Sequence, residues 1–507
     1  MCKFAEGQQD GYNGAVTTPA DPVVIVSNRG PVQHERAADG SRVTNRGGGG
    51  LVTALSGLAG QLDDAVWVCA ALTDEDLAVS REHGGEAFPA DERGALRVRM
   101  VELDPEAQRK HYSVISNPLL WFLQHYLWDL ANAPDIDRDM VDAFETGYVA
   151  VNERMAEAVA EEVEARGGRA TVLLQDYHLY LVPQVVRQRC PQALLHHFVH
   201  IPWPQPDSWR MLPPAMREAL LVGMLGNDVV GFHTERFARN FLLCCQELLD
   251  RPIDLRDLTV DVGGRTVRAR WYPISVDAGA FEDMAASAPV EEKRQALEGQ
   301  RRDHLVLRVD RTDPSKNIVR GFRAFDILLE DHPELLGKVT FLALLQPSRQ
   351  DVAEYADYVE RIRRTVADVN LKHGSHDWQP IDLRLEEDLE QAVAAYTLFD
   401  VLVVNSVFDG MNLVAKEAIL VNRRDGVLAL SENTGAHEEL GAFAVTLHPF
   451  DVQQQADALH EALTMAPEDR RNRREACAAV VRRNDVARWL TRQLRDLELL
   501  SGAAEDT

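Results

Sequence analysis

The chain has 507 residues, which is too long for one compact core, so two or more domains are expected. Its formal net charge of −26 would repel nucleic acid and anionic membranes, which makes both poor partners. No apolar run approaches the length of a membrane span, and residues 1–20 lack the apolar centre of a secretory signal. The cytoplasm is therefore the expected location.

The cysteines and histidines show no metal-binding pattern. Six cysteines are scattered without a pair at zinc spacing, and we interpret them as free thiols of a reducing compartment. His196 and His200 are four residues apart, but their apolar surroundings predict a strand, where this spacing spans about 13 Å. They could not share one ion. The sequence therefore predicts no bound metal and no cofactor.

Buried strands alternate with helices through the first half of the chain. The apolar runs that predict strands are Pro22–Ser27, Val66–Ala70, Leu96–Leu103, Thr171–Gln175, Leu194–Val199 and Asp228–Gly231. Helical patterns lie around Asn117–Leu130 and Arg138–Arg166. Polar residues follow the strands, and an open parallel sheet places its ligand crevice at those strand ends.

A glycine run closes the polar segment after the first strand. It extends from Arg46 to Gly50 and precedes a predicted helix at Leu51. Such a run suits a diphosphate at a helix N-terminus, and it suits the flexible tip of a hairpin equally well. The sequence leaves these two interpretations open.

The second half repeats the alternation. Thr259–Trp271 predicts a β-hairpin, and residues 272–277 predict a junction into the second unit. The elements predicted after it are the strands His304–Val309, Val339–Leu345, Val401–Val404 and Val427–Ser431, the helices Asn317–Leu329 and Gln350–Asn370, and further helices from about Asp451 to the end.

Four segments follow from these patterns. We expect a disordered tail at residues 1–20, a doubly wound domain at 21–275 and a second doubly wound domain at 276–484. At 485–507 we expect a helix that crosses back to the first domain, followed by a loose end.

The strongest candidate site lies in Val401–Glu417. Its strand leads through a polar turn into a helical pattern at Leu413, and first-turn N–H groups of such a helix point toward a ligand. Gly410 permits close backbone approach, while Asp409 and Glu417 offer carboxylate acceptors for sugar hydroxyls. Most turns of this kind in α/β proteins bind nothing, so the spacing of these residues alone does not show whether this turn is a binding site.

Two cations lie at another strand end. Arg311 and Lys316 precede a predicted helix, and cations there suit a leaving diphosphate. The alternative is a salt-bridged turn, because Asp310 and Asp313 are adjacent. Arg349, after the next strand, is either a phosphate clamp or the first charge of a solvated helix.

Two aromatic side chains in the first domain carry polar tips. Tyr112 and Trp121 are nine residues apart, and aromatics at such spacing usually belong to a core. The phenol hydroxyl and the indole N–H would also suit a sugar phosphate.

Together these motifs resemble the trehalose-6-phosphate synthases, which are retaining glycosyltransferases of family 20 with the GT-B fold. The resemblance extends from Val23 to Leu497, and the stretch Asp409–Glu417, DGMNLVAKE, is similar to the donor-site signature of that family. It implies two Rossmann-like domains facing each other across a cleft. It also implies transfer of glucose from a nucleoside-diphosphate glucose (UDP- or GDP-glucose) to glucose 6-phosphate, which gives α,α-trehalose 6-phosphate.

The resemblance also implies roles for individual residues. The catalytic residues it implies are Asp176, His200, Arg311 and Lys316. The donor-binding residues are Gly50, Arg311, Lys316, Asp409, Gly410, Met411, Asn412, Leu413, Val414 and Glu417. The acceptor-binding residues are Arg29, Tyr112, Trp121, Asp176 and Arg349. No metal takes part in the scheme that the resemblance implies.

The chain departs from the family pattern at several positions. Gln175 stands where His is common, Phe122 where Pro is usual and Phe408 where Arg is usual, and Ser275, Pro314 and Asn317 also differ. The nucleotide base (UDP, GDP or ADP) and the oligomeric state, with a homo-oligomer as one option, stay open.

Three alternatives remain. One is a glucosylglycerol-phosphate synthase, which uses another phosphorylated acceptor. The second is a validoxylamine-type pseudo-glycosyltransferase, which the chain resembles at Asn405–Ser406 and Leu420–Asn422 but which lacks Met411 and Lys416. The third is a non-catalytic sugar-phosphate sensor. Such a sensor typically lacks a charged site residue, and this chain keeps them all.

Overall fold

A computed structural model describes residues 21–46, 65–90, 96–350 and 352–505. In these residues the chain forms two large sheets with helices on their faces, together with a separate two-stranded hairpin. This architecture confirms the predicted α/β class. No helix in the described ranges has the length and apolar character that crossing a bilayer requires.

The first sheet has ten strands within the described residues, in the order β10-β11-β12-β9-β8-β7-β1-β4-β6-β5. Its middle, from β12 to β6, is parallel, and antiparallel strands form both edges. The strands are β1 (Val23–Ser27), β4 (Ala65–Ala70), β5 (Phe88–Pro89), β6 (Leu96–Val101), β7 (Thr171–Gln175), β8 (Leu194–Phe198), β9 (Val229–Phe232), β10 (Ile253–Asp254), β11 (Thr259–Asp261) and β12 (Thr266–Trp271).

The second sheet is parallel throughout its six strands, in the order β15-β14-β13-β16-β17-β18. Numbered from its own first strand, this is the 3-2-1-4-5-6 order of dinucleotide-binding folds. The strands are β13 (His304–Arg311), β14 (Val339–Gln346), β15 (Ile381–Leu385), β16 (Val401–Val404), β17 (Val427–Ser431) and β18 (Val445–Leu447).

Helices cover both sheets. In the first half they are α1 (Asp74–Glu82), α2 (Pro105–Arg109), α3 (Trp121–Gln124), α4 (Arg138–Asp142), α5 (Ala150–Ala165), α6 (Val182–Arg189), α7 (Pro206–Trp209), α8 (Pro214–Met224) and α9 (Glu235–Leu249), with π-helical Lys110–Leu120 and Ala143–Val149 and a 3₁₀ turn at Tyr177–Leu179. In the second half they are α10 (Ala278–Ala285), α11 (Ala288–Gln300), α12 (Ile318–Asp331), α13 (Ala353–His373), α14 (Leu389–Tyr396), α15 (Leu413–Val421), α16 (His437–Leu440), α17 (Val452–Thr464), α18 (Pro467–Arg483) and α19 (Val486–Glu505), with 3₁₀ turns at Pro314–Lys316 and Pro333–Leu335.

Strand bounds agree with the sequence to within one residue at each end where both faces of a strand are buried, as they are in β1, β4 and β9. All residues of β7, β16 and β17 are buried, and their predicted and observed bounds coincide. A strand covered on both faces has an uninterrupted apolar sequence, which makes its ends visible.

The prediction of one helix was wrong in its bounds, and two elements were not predicted. The segment after the first strand, for which the sequence indicated only polar character, forms the hairpin of β2 (Val32–Arg36) and β3 (Arg42–Arg46). The helix expected at Asn117–Leu130 begins at Pro105 and ends at Gln124. Strand β15 was not predicted because its sequence, IDLRL, alternates charged and apolar residues. Only its first residue, Ile381, is buried, and the other four are half-buried.

The C-terminal helix α19 packs against the first sheet. Trp489 lies edge-on to Phe198 of β8, with ring centroids 5.3 Å apart, and Asp496 accepts a 2.6 Å hydrogen bond from the Tyr272 hydroxyl. We propose the boundaries 21–275, 276–484 and 485–507 on the strength of these contacts and the two sheets.

A buried lysine joins the two halves. Lys416 of α15 donates hydrogen bonds to the carbonyl of Ile274 at 2.7 Å and to Glu439 at 2.5 Å. Asn484 donates to the other oxygen of Glu439 at 2.8 Å. Lys416 is 1% exposed, so its charge is balanced inside the protein.

Replacing Lys416 by Met tests this joint. The variant Lys416→Met leaves Glu439 without its cationic partner, and we expect the free energy of unfolding to fall by about 3 kcal/mol. The control Lys338→Met changes an exposed lysine and should cost far less. Urea unfolding followed by fluorescence measures both, and equal losses in the two variants would contradict the role assigned to Lys416.

Candidate active site

Predicted site residues converge at the carboxyl ends of strands from both sheets. Arg29 follows β1 and Asp176 follows the neighbouring strand β7. In the second sheet Arg311 ends β13, and Asp409 follows the neighbouring strand β16. In each sheet these two strands flank the point where the strand order reverses, which is where doubly wound sheets bind ligands.

Four of the eight non-glycine residues with positive φ among the described residues lie in segments that follow the central strands. The φ angles are 71° at Asp176, 58° at Asn317, 48° at Arg349 and 72° at Asn412. Such angles cost free energy for residues other than Gly and persist only where the surrounding structure imposes them. Asn317 is the position where the resembling family has Gly, and Asn is the residue that best tolerates this conformation after Gly.

The turn before α15 holds Asp409 in a network of donors. Its carboxylate pairs with the Lys316 ammonium and accepts hydrogen bonds from Ser406 and Asn412, both at 3.2 Å. Burial opposes ionisation of Asp409, but the charge of Lys316 lowers the pKa of the carboxyl below its usual value. Asp409 is therefore an anion when no ligand is bound, and it forms an ion pair with Lys316.

The first turn of α15 presents free backbone donors. Asn412 caps the helix by accepting from the N–H of Ala415 at 3.2 Å. The N–H groups of Leu413 and Val414 have no acceptor within the helix, and the helix dipole adds a positive field there. Met411 is buried, and its carbonyl accepts from Ala436 at 3.0 Å.

Glu417 lies one turn further along the same helix. It accepts a 3.2 Å hydrogen bond from the Tyr396 hydroxyl, and burial raises its pKa to about 7. No cation lies within salt-bridge distance of it among the described residues. The carboxylate is thus free to accept from a ligand hydroxyl.

Arg311 is a cation of the cleft that has no ion-pair partner among the described residues. In the part of the chain that the structure describes, no carboxylate lies within salt-bridge distance of its guanidinium. The group lies over the indole ring of Trp121, 5.5 Å from the centroid. Since Trp121 belongs to the first half and Arg311 to the second, this contact crosses the cleft.

Asp313 is a functional residue that the sequence reasoning had placed only in a salt-bridged turn. Its buried carboxylate accepts from the indole N–H of Trp121 at 3.3 Å and from the Tyr355 hydroxyl at 3.2 Å, and it lies 3.7 Å from Arg349. Burial opposes ionisation, but Arg349 and Arg311 lower its pKa to about 2. Its sequence signal was only an Asp after a strand end.

Arg349 is held by aromatic side chains of both halves. Its guanidinium lies 4.2 Å from the Trp121 ring centroid, donates to Tyr177 at 3.1 Å and donates to Tyr355 at 2.5 Å. The alternative of a solvated helix charge is wrong, because only 9% of the side chain is exposed.

Arg29 and Tyr112 form the outer edge of the same cluster. Arg29 is exposed and donates to the Tyr112 hydroxyl at 3.3 Å. Burial opposes the shift, but Arg29 and Arg349 lower the pKa of Tyr112. The predicted acceptor residues therefore form two contacting pairs, Arg29 with Tyr112 and Arg349 with Trp121, and the charge of Arg349 acts on the Tyr112 hydroxyl.

Asp176 and His200 follow the neighbouring strands β7 and β8. The N–H of His200 donates to Asp176 at 3.2 Å, and His200 Nε2 lies 3.0 Å from the amide oxygen of Gln175. Burial raises the pKa of Asp176 to about 7 and lowers that of His200 well below its ordinary value. Neutral His200 then donates from Nε2 to Gln175.

At Gly410 the backbones of the two halves approach each other closely. A Cβ at this position would overlap the carbonyl oxygen of His200, so no other residue fits without displacing backbone. The sequence had assigned the space beside Gly410 to a bound group. In the structure His200 lies there.

Gly50, a predicted donor-binding residue, lies outside the described residues. Arg308, which the sequence reasoning passed over, is a fully buried cation that bonds to Asn405 beneath the site and lies 3.5 Å from Asp310. Phe408 packs on Tyr126 across the cleft, with ring centroids 4.5 Å apart.

Curated relatives cover most of the chain. The α,α-trehalose-phosphate synthase (UDP-forming) A of Dictyostelium discoideum is 31% identical over 92% of this chain and 61% of its own length. The α,α-trehalose-phosphate synthase (UDP-forming) of Botryotinia fuckeliana is 34% identical over 88% and 83%. The validamine 7-phosphate valienyltransferase of Streptomyces hygroscopicus is 33% identical over 90% and 89%.

Solved structures match the fold over most of the chain. The E. coli trehalose-6-phosphate structure bound with UDP-2-fluoro glucose superposes with a TM-score of 0.81 at 26% identity, covering 94% of this chain and 99% of that one. An α,α-trehalose-phosphate synthase (UDP-forming) from Burkholderia xenovorans in complex with glucose-6-phosphate gives 0.79 at 28% identity, covering 94% and 100%.

The two facing doubly wound halves and their charged cleft define a glycosyltransferase of the GT-B fold. The family model of glycosyltransferase family 20 matches residues 21–499. The chain belongs to glycosyltransferase family 20, which confirms the resemblance drawn from its motifs.

A methyl group at Gly410 tests the cleft contact. In Gly410→Ala the new Cβ forces His200 away, and a displacement of this kind should lower kcat/KM of glucosyl transfer by about 100-fold. The control Gly299→Ala adds a methyl group where nothing lies within 4 Å and should keep full activity. Activity of Gly410→Ala close to that of the control would contradict the contact.

The raised pKa of Glu417 makes stability depend on pH. The folded protein keeps this proton up to about pH 7, whereas the unfolded chain loses it near 4.5, so Glu417 lowers stability as pH rises through that window. Glu417→Gln removes the effect. The free energy of unfolding of Glu417→Gln should equal that of the wild-type chain at pH 4.5 and exceed it by about 3 kcal/mol at pH 8.

Denaturant unfolding between pH 4.5 and 8 measures this gain. Glu145→Gln, at an exposed position, is the control and should show a difference that does not vary with pH. A pH-independent difference for Glu417→Gln as well would show that the carboxyl is not buried as described.

Proposed function

We propose that the chain transfers glucose from UDP-glucose or GDP-glucose to glucose 6-phosphate and forms α,α-trehalose 6-phosphate. One observation carries the proposal. The indole of Trp121 contacts both Arg311, on the donor side, and Arg349, in the acceptor cluster. Two phosphorylated substrates bound to these arginines would meet at the same aromatic ring.

The donor diphosphate binds at the end of the second sheet in this proposal. Arg311 and Lys316 neutralise it, and the N–H groups of Leu413 and Val414 donate to its oxygens. Phosphate draws Lys316 away from Asp409, which frees that carboxylate to accept from glucose hydroxyls. Gly410, Met411 and Asn412 would complete the sugar contacts, Glu417 would bind the ribose hydroxyls, and Gly50 would close over the diphosphate.

The acceptor phosphate binds in the aromatic cluster. Arg29 and Arg349 supply charge, while the Tyr112 hydroxyl and the Trp121 indole supply hydrogen bonds. In the free enzyme that indole N–H donates to Asp313, so phosphate binding would compete with this bond. Asp176 accepts from acceptor hydroxyls, and His200 lies beside the donor sugar.

The transfer retains the configuration at the donor C1. As C1–O bond cleavage develops, an oxocarbenium-like centre forms, and the departing phosphate oxygen accepts the proton from the attacking hydroxyl on the same face. The cations stabilise the charge of the leaving diphosphate, and the cluster fixes the position of the acceptor. No side chain of the site acts as a covalent nucleophile in this scheme.

Closure of the cleft protects the reaction from water. The contacts of Gly410 with His200 and of Arg349 with Tyr177 already join the halves. A dry cleft suppresses hydrolysis of the nucleotide sugar.

Relatives favour UDP-glucose as the donor, because those named synthases are UDP-forming and the E. coli structure holds UDP-2-fluoro glucose. GDP-glucose remains the second donor in the proposal.

We propose a cytoplasmic location, which the buried free thiols favour.

A pseudo-glycosyltransferase is the second candidate. The valienyltransferase is as similar in sequence as the synthases, at 33% identity. That activity would join a cyclitol nucleotide to an aminocyclitol phosphate. Met411 and Lys416, which the resembling pseudo-glycosyltransferases lack, favour the synthase.

Product analysis distinguishes the two. The purified chain is incubated with UDP-, GDP- or ADP-glucose and glucose 6-phosphate, and the products are read by mass spectrometry. A non-reducing disaccharide phosphate supports the proposal. Turnover only with a glycerol or cyclitol phosphate would assign the chain to an alternative.

Loss of the Lys316 ammonium tests the donor site. Lys316→Ala should lower kcat by at least about 100-fold, because the cation stabilises charge that grows in the transition state. Lys338→Ala, at an exposed position, should retain wild-type kcat. Circular dichroism checks that both variants are folded, and a nearly normal kcat in Lys316→Ala would refute its role.

A further inference from the structure

Three potential metal ligands meet on the second domain, outside the cleft. His332 follows the last residue of α12, Glu334 lies in the 3₁₀ turn Pro333–Leu335, and His460 belongs to α17. Helix α12 begins beside Lys316 in the cleft and has 14 residues, so its C-terminal end lies about 20 Å from the site. The cluster is therefore separate from the glycosyltransferase chemistry.

The three side chains are close enough to hold one ion. Their ligand atoms all lie within 4.8 Å of one another, and His332 Nδ1 is 3.3 Å from a Glu334 carboxylate oxygen. The imidazoles of His332 and His460 stack with centroids 3.6 Å apart and planes 5° from parallel. Among the described residues this is the one group of three such ligands that meets these distances.

We propose that His332, Glu334 and His460 form a binding site for a divalent transition-metal ion of the zinc class. Two imidazole nitrogens and one carboxylate oxygen are the ligand set that Zn²⁺ takes at open sites. Each imidazole offers one ring nitrogen to an ion, and the Glu334 carboxylate supplies a negatively charged oxygen beside them.

The surroundings favour a cation. His332 lies at the C-terminal end of α12, where the unpaired carbonyls carry partial negative charge. Two further acidic residues are close to the ligands along the chain: Asp331 directly precedes His332, and Asp457 shares a hydrogen-bond donor with Asp331, because Gln453 donates to both carboxylates at 3.1 Å. Asp457 lies one turn before His460 on α17.

Metal binding requires a small rearrangement. Parallel rings direct their lone pairs side by side, so at least one imidazole must rotate to aim both nitrogens at a common point. His332 and His460 are half-buried and Glu334 is exposed, which leaves room for that rotation. With three protein ligands, water fills the remaining position.

The bound ion would fasten α12 and its following turn to α17. The sequence predicted no metal because the two histidines lie far apart in the chain and form no motif. An ion that binds only the folded protein raises its stability by mass action. The site would thus act on the stability of the second domain and is independent of the proposed function.

The test uses the full chain, treated with chelator and titrated with ZnCl₂. Calorimetry should show one saturable zinc site per chain, and saturating zinc should raise Tm by at least about 3 °C. Co²⁺ in place of zinc should give the visible absorption of a nitrogen- and oxygen-ligated ion. Absence of saturable binding and of a Tm shift in the wild-type chain would overturn the proposal.

Matched variants locate the site. His332→Ala and His460→Ala should lose the saturable site and the Tm rise, and Glu334→Gln, an exposed change that spares the fold, should weaken binding by about tenfold or more. His376→Ala removes an exposed histidine elsewhere on the domain and should bind as the wild type does. Zinc binding that is unchanged in all three cluster variants would place the ion elsewhere and refute the proposal.

Discussion

The arrangement of the cleft depends on the contacts of one buried carboxylate, that of Asp313. It accepts from Trp121 of the first domain, and it lies beside Tyr355 and Arg349 of the second. Since Asp313 is ionised, it balances Arg349 inside the protein and lets that guanidinium lie against aromatic rings. Arg311, which has no such partner among the described residues, keeps its charge for a ligand.

This arrangement gives a strongly acidic chain a cleft with several cationic side chains. The formal net charge is −26, yet Arg29, Arg311, Lys316 and Arg349 all lie at the ends of strands that face the cleft, and two of them, Arg311 and Arg349, lie over the same indole ring. A cleft lined by one sign of charge focuses its field and raises the local concentration of the opposite ion. In the free enzyme Asp409 and Asp313 hold two of these cations in place, and phosphate groups would then take over part of that balance.

The sheets and the positions of most site residues could be predicted from sequence, because they depend on local patterns. Fully buried strands such as β7 and β16 are uninterrupted apolar runs, and the residue after each run had to lie at the ligand-binding edge of a parallel sheet. The hairpin β2–β3 escaped prediction because ion pairs hold it, such as Arg42 with Glu75, and not an apolar face. Contacts that join distant segments left no local pattern. Asp313 looked like an ordinary turn residue, and nothing in the motif containing Lys416 showed that its ammonium binds Ile274.

A crystal structure with nucleoside diphosphate and glucose 6-phosphate bound tests the central claim most directly. The account predicts that the diphosphate contacts Arg311 and Lys316, and that the sugar phosphate contacts Arg29, Tyr112, Trp121 and Arg349 on the other side of the same indole. A diphosphate bound away from Arg311, Lys316 and Glu417, or a sugar phosphate outside the aromatic cluster, would contradict it.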